Sequence, residues 1–438
     1  MQFSFNQTGE NRFLYMEVYD YFRSLIQEQK LPAGSKMPSI RTCAQQLKLS
    51  RTTIENAYLQ LAADGFIIAK AQSGYYVTEA AAGFHSDIPQ RQDIPAGFRY
   101  NFALAGADRE SFRFDLWRRY IKSALRQDER LLSYGEPQGE ADFRQTLADY
   151  IRQHRNIICS PDDIVVGASV QSLLHILCPL LEEKETVSFP TSTFLQGSTV
   201  FADYGFQVRY RNKDSDVIYV SPAHMTKWGE IMPVSRRMEL IRHAAEHESL
   251  IIEDDIENEF VYLQKPTPSL FSLAGGKHVV YISSFSRLLL PSIRISFMVL
   301  PEPLKSAYLK KAHCYNQTAS KTEQIALCQF IRDGHLAAQT RKLKRLYSHK
   351  LRHLLEALQQ VFGENCRIRI GAAGTSVAVT LPRISDGPAF LEKARAHGLN
   401  FQLLSEKSGQ VSIILSCSAM KTEDFLPACQ LLASLCSS

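Results

Sequence analysis

A chain of 438 residues, 45% hydrophobic and 22% charged, carries enough apolar sequence for one large core and a smaller second domain. Its net charge of +5 permits nucleic-acid binding without arguing for it, because a local patch matters more than the total. Nine scattered cysteines never spaced Cys-x-x-Cys argue against a disulfide framework or a zinc site, and a polar amino terminus with no membrane-length apolar run leads us to expect a cytoplasmic protein.

Helical periodicity over residues 14–29 places Leu14, Val18, Tyr21, Phe22 and Leu25 on one face. The loop LPAGSKMPS then ends on Ser39, an N-cap for a helix from Ile40 to about Lys48. Ser50 caps a third helix that stops at Gly65, and FIIAKAQSGYYVTE alternates around Ser73-Gly74 as a two-stranded wing would. Residues 79–97, with two prolines and little periodicity, read as a linker. Beyond it, short apolar runs (164–166, 217–220, 250–254, 279–283, 295–300) alternate with helical segments, which favours a parallel sheet covered on both faces. Residues 320–362 are helical in pattern, and the remainder mixes strands and helices as a smaller lobe would.

Three helices and a wing within residues 1–78 make a winged helix-turn-helix, and the segment from Leu31 to Val77 resembles the GntR family throughout. Arg51, Thr52 and Thr53 open the recognition helix, the end that reaches base edges in a major groove. Arg41 projects from the preceding helix toward the backbone or a guanine. Ser39 and Ser50 offer hydroxyls and helix-start amides to phosphates, and Ser73-Gly74 reaches toward the minor groove. Either arginine alone reads as a solvated charge; caps, turn and wing in register point to a double-stranded DNA operator. Glu55 stands where some GntR members place a basic residue.

Residues 98–438 carry, in order, YGEPQGEADF, GASVQSL, SPAHMTKWG, IIEDDIENEF and SSFSRLLLPSIR. These phrases resemble the class I/II aminotransferases in the version fused to GntR heads in MocR-type regulators. The fold class implied is α/β: a fold-type-I PLP-transferase-like body, mostly parallel sheet plus a small C-terminal lobe, behind the winged head. The resemblance places a phosphate on the amides of Ala168 and Ser169, an aromatic stack at Phe194 and a family position at His224. It sets Asp254 against a pyridine nitrogen, and Ser284, Ser286, Arg287 and Arg294 in the cofactor-lysine segment, Arg294 gripping the phosphate. From the residues alone, Gly167-Ala168-Ser169 is equally a plain strand-to-helix turn, Phe194 a core ring, His224 a structural histidine, and Asp254 a solvated strand end or a Mg²⁺ ligand.

The departures weigh more. Arg287 stands where the resemblance calls for the imine lysine, and a guanidinium stays protonated and cannot attack an aldehyde. Ile256 replaces a tyrosine, and no arginine follows Arg395 to clamp a substrate carboxylate. No catalytic residue, no transamination and no metal are therefore expected. The resemblance then implies a homodimeric regulator with at most a non-covalent hold on pyridoxal phosphate (PLP) or a related phosphorylated anion as effector. Two readings compete: a PLP enzyme using a displaced lysine (Lys213, Lys227 or Lys321), and a structural dimeriser whose pocket is filled by Arg287 paired with Asp254. The basic run 341–352 is either a solvated helix face or a contact to DNA between half-sites.

Overall fold

The computed structural model describes residues 13–78, 98–103, 110–225, 229–255, 258–263, 267–372, 374–382, 384, 386–407 and 410–437. The chain divides into two compact units, Met1–Ala96 and Gly97–Ser438. The linker assigned to 79–97 falls outside the described residues.

In the head, α1 (Leu14–Gln27), α2 (Ile40–Leu47) and α3 (Arg51–Ala63) precede the hairpin of β1 (Ile67–Lys70) and β2 (Gly74–Val77). Ser39 and Ser50 are the N-caps of α2 and α3, accepting the backbone N–H of Thr42 and of Thr53, each at 3.1 Å. Lys48 closes α2 in the left-handed region at φ +55°, and Gly65 leaves α3 at φ +77°, where a side chain would be strained. The buried face of α1 is Val18, Tyr19, Phe22 and Ile26. Leu14, Tyr21 and Leu25 are only half-buried, so the face is turned from the one its periodicity suggested. The turn is driven by α3: Phe22 meets the ring of Tyr58 edge-on at 5.6 Å.

The body is built on a seven-stranded sheet of order β4-β10-β9-β8-β7-β5-β6: β4 (Ile164–Gly167), β5 (Thr186–Phe189), β6 (Gln207–Tyr210), β7 (Val217–Val220), β8 (Leu250–Asp254), β9 (Val279–Ser284) and β10 (Ser296–Val299). Only β10 runs antiparallel to its neighbours. Separate apolar cores cover the two faces, so β4, β7, β8, β9 and β10 are buried along their whole length, as a parallel sheet under helices demands. β5 and β6 were not read from the sequence, because Thr186, Ser188, Gln207 and Arg209 interrupt their apolar run.

A helix from Lys321 to Arg332 breaks at Gly334 (φ +74°) into a 28-residue helix, His335–Phe362, which leads into the small lobe. There β11 (Arg367–Ile370), β12 (Ser376–Pro382), β14 (Gln402–Lys407) and β15 (Gln410–Ser416) form an antiparallel sheet over a third core. β3 (Tyr100–Asn101) pairs there with β13 (Leu399–Asn400), tying the start of the body to its end. Among the described residues no helix is long and apolar enough to cross a membrane.

Candidate functional site

In the head, Arg41, Arg51 and Thr52 are exposed at the starts of α2 and α3, with Thr53 half-buried. Neither arginine makes a hydrogen bond or ion pair with the described residues. The capping serines are less available than their position suggested. Ser39 and Ser50 each take a helix-start amide, and their hydroxyls also meet those of Thr42 (2.6 Å) and Thr53 (2.7 Å). The wing turn ends at Gly74, φ +103°, and Ser73 Oγ lies 2.7 Å from the Tyr76 hydroxyl. Lys36 and Lys70 approach the Tyr76 ring at 5.8 and 4.6 Å, and the Ser73 bond with these two cations holds that phenol below its usual range. This basic wing was missed, because Lys36 reaches Tyr76 only through a bridge from the loop.

In the body, the carboxyl ends of the parallel strands gather the expected residues. Ser296 pairs with Gly167 on one side and Ser284 on the other, which sets the β4 turn, the start of β10 and the end of β9 side by side. Asp254 ends β8, buried, and its Oδ2 accepts the Tyr219 hydroxyl at 2.5 Å. Burial and that carboxylate push the Tyr219 phenol well above its usual range, so it stays a donor. Phe194 lies against Tyr219 (ring centroids 5.2 Å), and a side chain at Gly197 would collide with it. Phe194 thus belongs to an aromatic cluster leading to Asp254, which sequence reasoning had not connected through Tyr219.

The expected phosphate cradle is internally bonded. Ala168 N–H donates to Thr318 Oγ1 at 3.0 Å, Ser169 N–H to Ser172 Oγ at 2.9 Å, and Ser169 caps the helix Val170–Leu177 in return. Ser284 and Ser286 hydroxyls stand 3.1 Å apart. Arg287 follows half-buried, and Arg294 is exposed with its backbone N–H held by Glu323. His224 is half-buried in the turn after β7, its ring beside Gly229.

The lysines named as displaced nucleophiles are placed elsewhere. Lys213 precedes β7, at the sheet end opposite Asp254, and Lys321 Nζ donates to Ser133 Oγ (2.9 Å) and to the carbonyls of Ser133 and Tyr134. Lys227 and Ile256 lie outside the described residues.

Behind Asp254 lies a buried charge cluster with no counterpart in the sequence reading. Arg155 Nε and Nη2 donate to Asp255 at 2.6 and 3.0 Å, Tyr281 donates to the same carboxylate, and Glu253 accepts the amides of Leu270 and Phe271. Burial, then the Asp255 charge, push the carboxyls of Glu253 and Glu259 up to about 7.

A winged-helix head ahead of a mixed sheet with Asp254 at a strand end defines a DNA-binding module joined to an aminotransferase-like body. Residues 14–77 match the gntR family of bacterial regulatory proteins, and residues 108–383 match aminotransferase class I and II. The chain is 33% identical to the HTH-type transcriptional regulator YdeL of Bacillus subtilis, over 90% of this chain and 89% of that one. It is 24% identical to the probable rhizopine catabolism regulatory protein MocR of Rhizobium meliloti, over 90% and 87%. An archaeal alanine:glyoxylate aminotransferase superposes with a TM-score of 0.68 at 20% identity, covering 77% of this chain and 90% of that one. The chain belongs to the MocR-type, GntR-family transcriptional regulators with an aminotransferase-like domain.

Proposed function

We propose that the protein reads a double-stranded operator as a homodimer and that its body does not transaminate but joins two chains and senses a small anion. The observation that carries the non-enzymatic half is Arg287 at the turn after β9. No guanidinium forms an imine, and the two alternative lysines described are, respectively, at the wrong end of the sheet and committed to Ser133 and Tyr134. Of the candidates among the described residues, none therefore fits a covalently held PLP. Mixing the protein with PLP and borohydride tests this: no imine absorption and no trapped adduct are expected, and a trapped adduct would overturn it.

In the head, Arg41, Arg51, Thr52 and Thr53 are the base-edge and backbone contacts. Ser39 and Ser50 act by fixing the two helix starts, and the wing at Ser73 and Gly74, with Lys36 and Lys70 beside it, meets the adjacent groove. For dimerisation, the support is Leu132 and Tyr134, 89% and 102% exposed on a loop that Lys321 fastens down. Two such apolar side chains on a fixed loop suit a second copy better than water. Two heads then require two operator half-sites. A single sedimentation species of monomer mass at micromolar concentration would overturn the dimer.

For sensing, Arg287 and Arg294 supply positive charge beside the hydroxyls of Ser284 and Ser286, while Asp254 with Tyr219 offers a polar wall and His224 and Phe194 line the approach. One observation favours the competing structural reading. Ala168 and Ser169 already spend their amides on Thr318 and Ser172. Thermal shift with PLP, pyridoxine phosphate and inorganic phosphate separates the two. A sensed anion at a hundredfold over its Kd stabilises by roughly 2.7 kcal/mol, and no response to any of the three favours the structural dimeriser.

A further inference from the structure

The long helix His335–Phe362 passes from one core to another, and at the crossing it carries two histidines whose ring nitrogens meet. Leu343 and Tyr347 pack into the core of the large lobe, whereas Leu351, Leu354 and Leu358 belong to that of the small lobe. His349 and His353, four residues apart, therefore project from one side of the helix at the junction. Their Nε2 atoms lie 3.1 Å apart, and Glu356 stands 3.2 Å from Nδ1 of His353. His349 is exposed and the His353 side chain is 39% exposed, so an ion can reach both.

We propose that His349 and His353 chelate a divalent transition-metal ion, Ni²⁺, Cu²⁺ or Zn²⁺, which clips the helix where the two lobes join. Two imidazole nitrogens bound at about 2.0–2.1 Å stand about 2.9 Å apart at a right angle and about 3.3 Å apart at the tetrahedral angle. The observed separation falls between these, so an ion replaces the proton shared by the two nitrogens with little ring movement. The Glu356 carboxylate, 3.2 Å from Nδ1 of His353, favours a proton on that nitrogen and a bare Nε2, the arrangement a carboxylate provides behind a ligating histidine. The proton that His349 holds on Nε2 between the two rings shifts to its own Nδ1 as the ion takes its place, so both rings present a bare Nε2 and none is released. Among the described residues no three His, Cys, Asp or Glu side chains converge as a cage. Two nitrogens and water thus hold the ion, a readily exchanged chelate. Imidazole selects these ions over Mg²⁺ and Ca²⁺, which demand oxygen.

The molecule holds its own control. His243 and His247 have the same spacing and stack at 4.0 Å, but their nitrogens turn to backbone: His243 Nε2 to the Lys213 carbonyl at 2.7 Å and His247 Nδ1 to that of His243 at 3.0 Å.

Calorimetric titration of the full-length protein with Ni²⁺, which is less drawn to thiols than Cu²⁺, tests the site. One equivalent per chain is expected. His349→Ala and His353→Ala should each weaken it at least tenfold, and Glu356→Gln should weaken it by about tenfold while keeping the stoichiometry. His247→Ala should leave it unchanged. Ni²⁺ should also slow amide exchange over residues 349–357, and an unaltered circular-dichroism spectrum without metal certifies each variant as folded. Uptake that survives both His349→Ala and His353→Ala, or no uptake at millimolar Ni²⁺, overturns the proposal.

Discussion

The head and the body treat their polar groups in opposite ways. At the starts of α2 and α3, Arg41, Arg51 and Thr52 point into solvent, and the backbone around them is closed by short local caps. At the strand ends of the body, polar groups are spent on one another: Ala168 on Thr318, Ser169 on Ser172, Tyr219 on Asp254, Ser284 on Ser286. A surface built to meet an external partner leaves charges uncommitted. The strand ends of the body satisfy themselves instead. The contrast agrees with the reading proposed above, in which the head carries sequence-specific recognition.

Breaking the head should give the largest effect. Arg51→Ala should weaken operator binding by about 1–3 kcal/mol and relax preference at one base position, read by binding assays on a panel of single-base operator variants. A uniform loss across the panel with a salt slope lower by about one would reassign Arg51 to a phosphate.

Acid should then separate the two units. In the body, Glu253 and Glu259 titrate near 7 when folded, above an ordinary 4.5, so the fold favours their protonated forms. Their stabilising contribution is complete below about pH 4.5 and is lost as pH climbs through 7. In the head the sign reverses. Tyr19 and Gln60 hydrogen bonds hold Asp64 below its usual 3.8, and its contribution, present above that value, fades in stronger acid. Urea unfolding of the body should shift to lower denaturant between pH 5.5 and 7.5, and Glu259→Gln should flatten that slope. A slope unaltered by Glu259→Gln would remove the cluster as its source. Smaller again, Ser50→Ala should cost the head about 1 kcal/mol by freeing the Thr53 amide, measured by thermal melting.

How far the sequence could be read follows from the range of the forces involved. Caps and turns are local, so Ser39, Ser50, Gly65 and the wing turn were legible. The buried strands β4, β7, β8, β9 and β10 were legible too, because burial on both faces leaves long apolar runs. Polar edge segments such as β6 leave no such signal. Pairs set by tertiary contact were illegible: Ala168 with Thr318 is 150 residues apart and Arg155 with Asp255 100. The His349–His353 spacing was visible as text, but only the side-chain directions separate it from His243–His247. Arg287 needed no structure, since its chemistry follows from its identity.

The basic run on the long helix offers the weakest and most discriminating break of the comparison. The helix splits it: Arg341, Lys342, Arg345 and Arg352 are exposed, whereas Lys350 is buried with its Nζ on the carbonyls of Ser418 and Met420. What remains is a stripe of cations on a body that otherwise satisfies itself. If it acts only through its field, Arg345→Glu should lower operator affinity a few-fold at low salt. That loss should vanish once the Debye length shrinks below about 8 Å, so the plot of affinity against salt departs from the wild type only at low salt and keeps the wild-type slope above that ionic strength. Direct contact to phosphate would instead release counterions, so the slope itself would fall by about one per lost contact. We expect the first outcome, because no sequence-reading element of the body accompanies the stripe. A changed slope would extend the DNA interface from the head into the body.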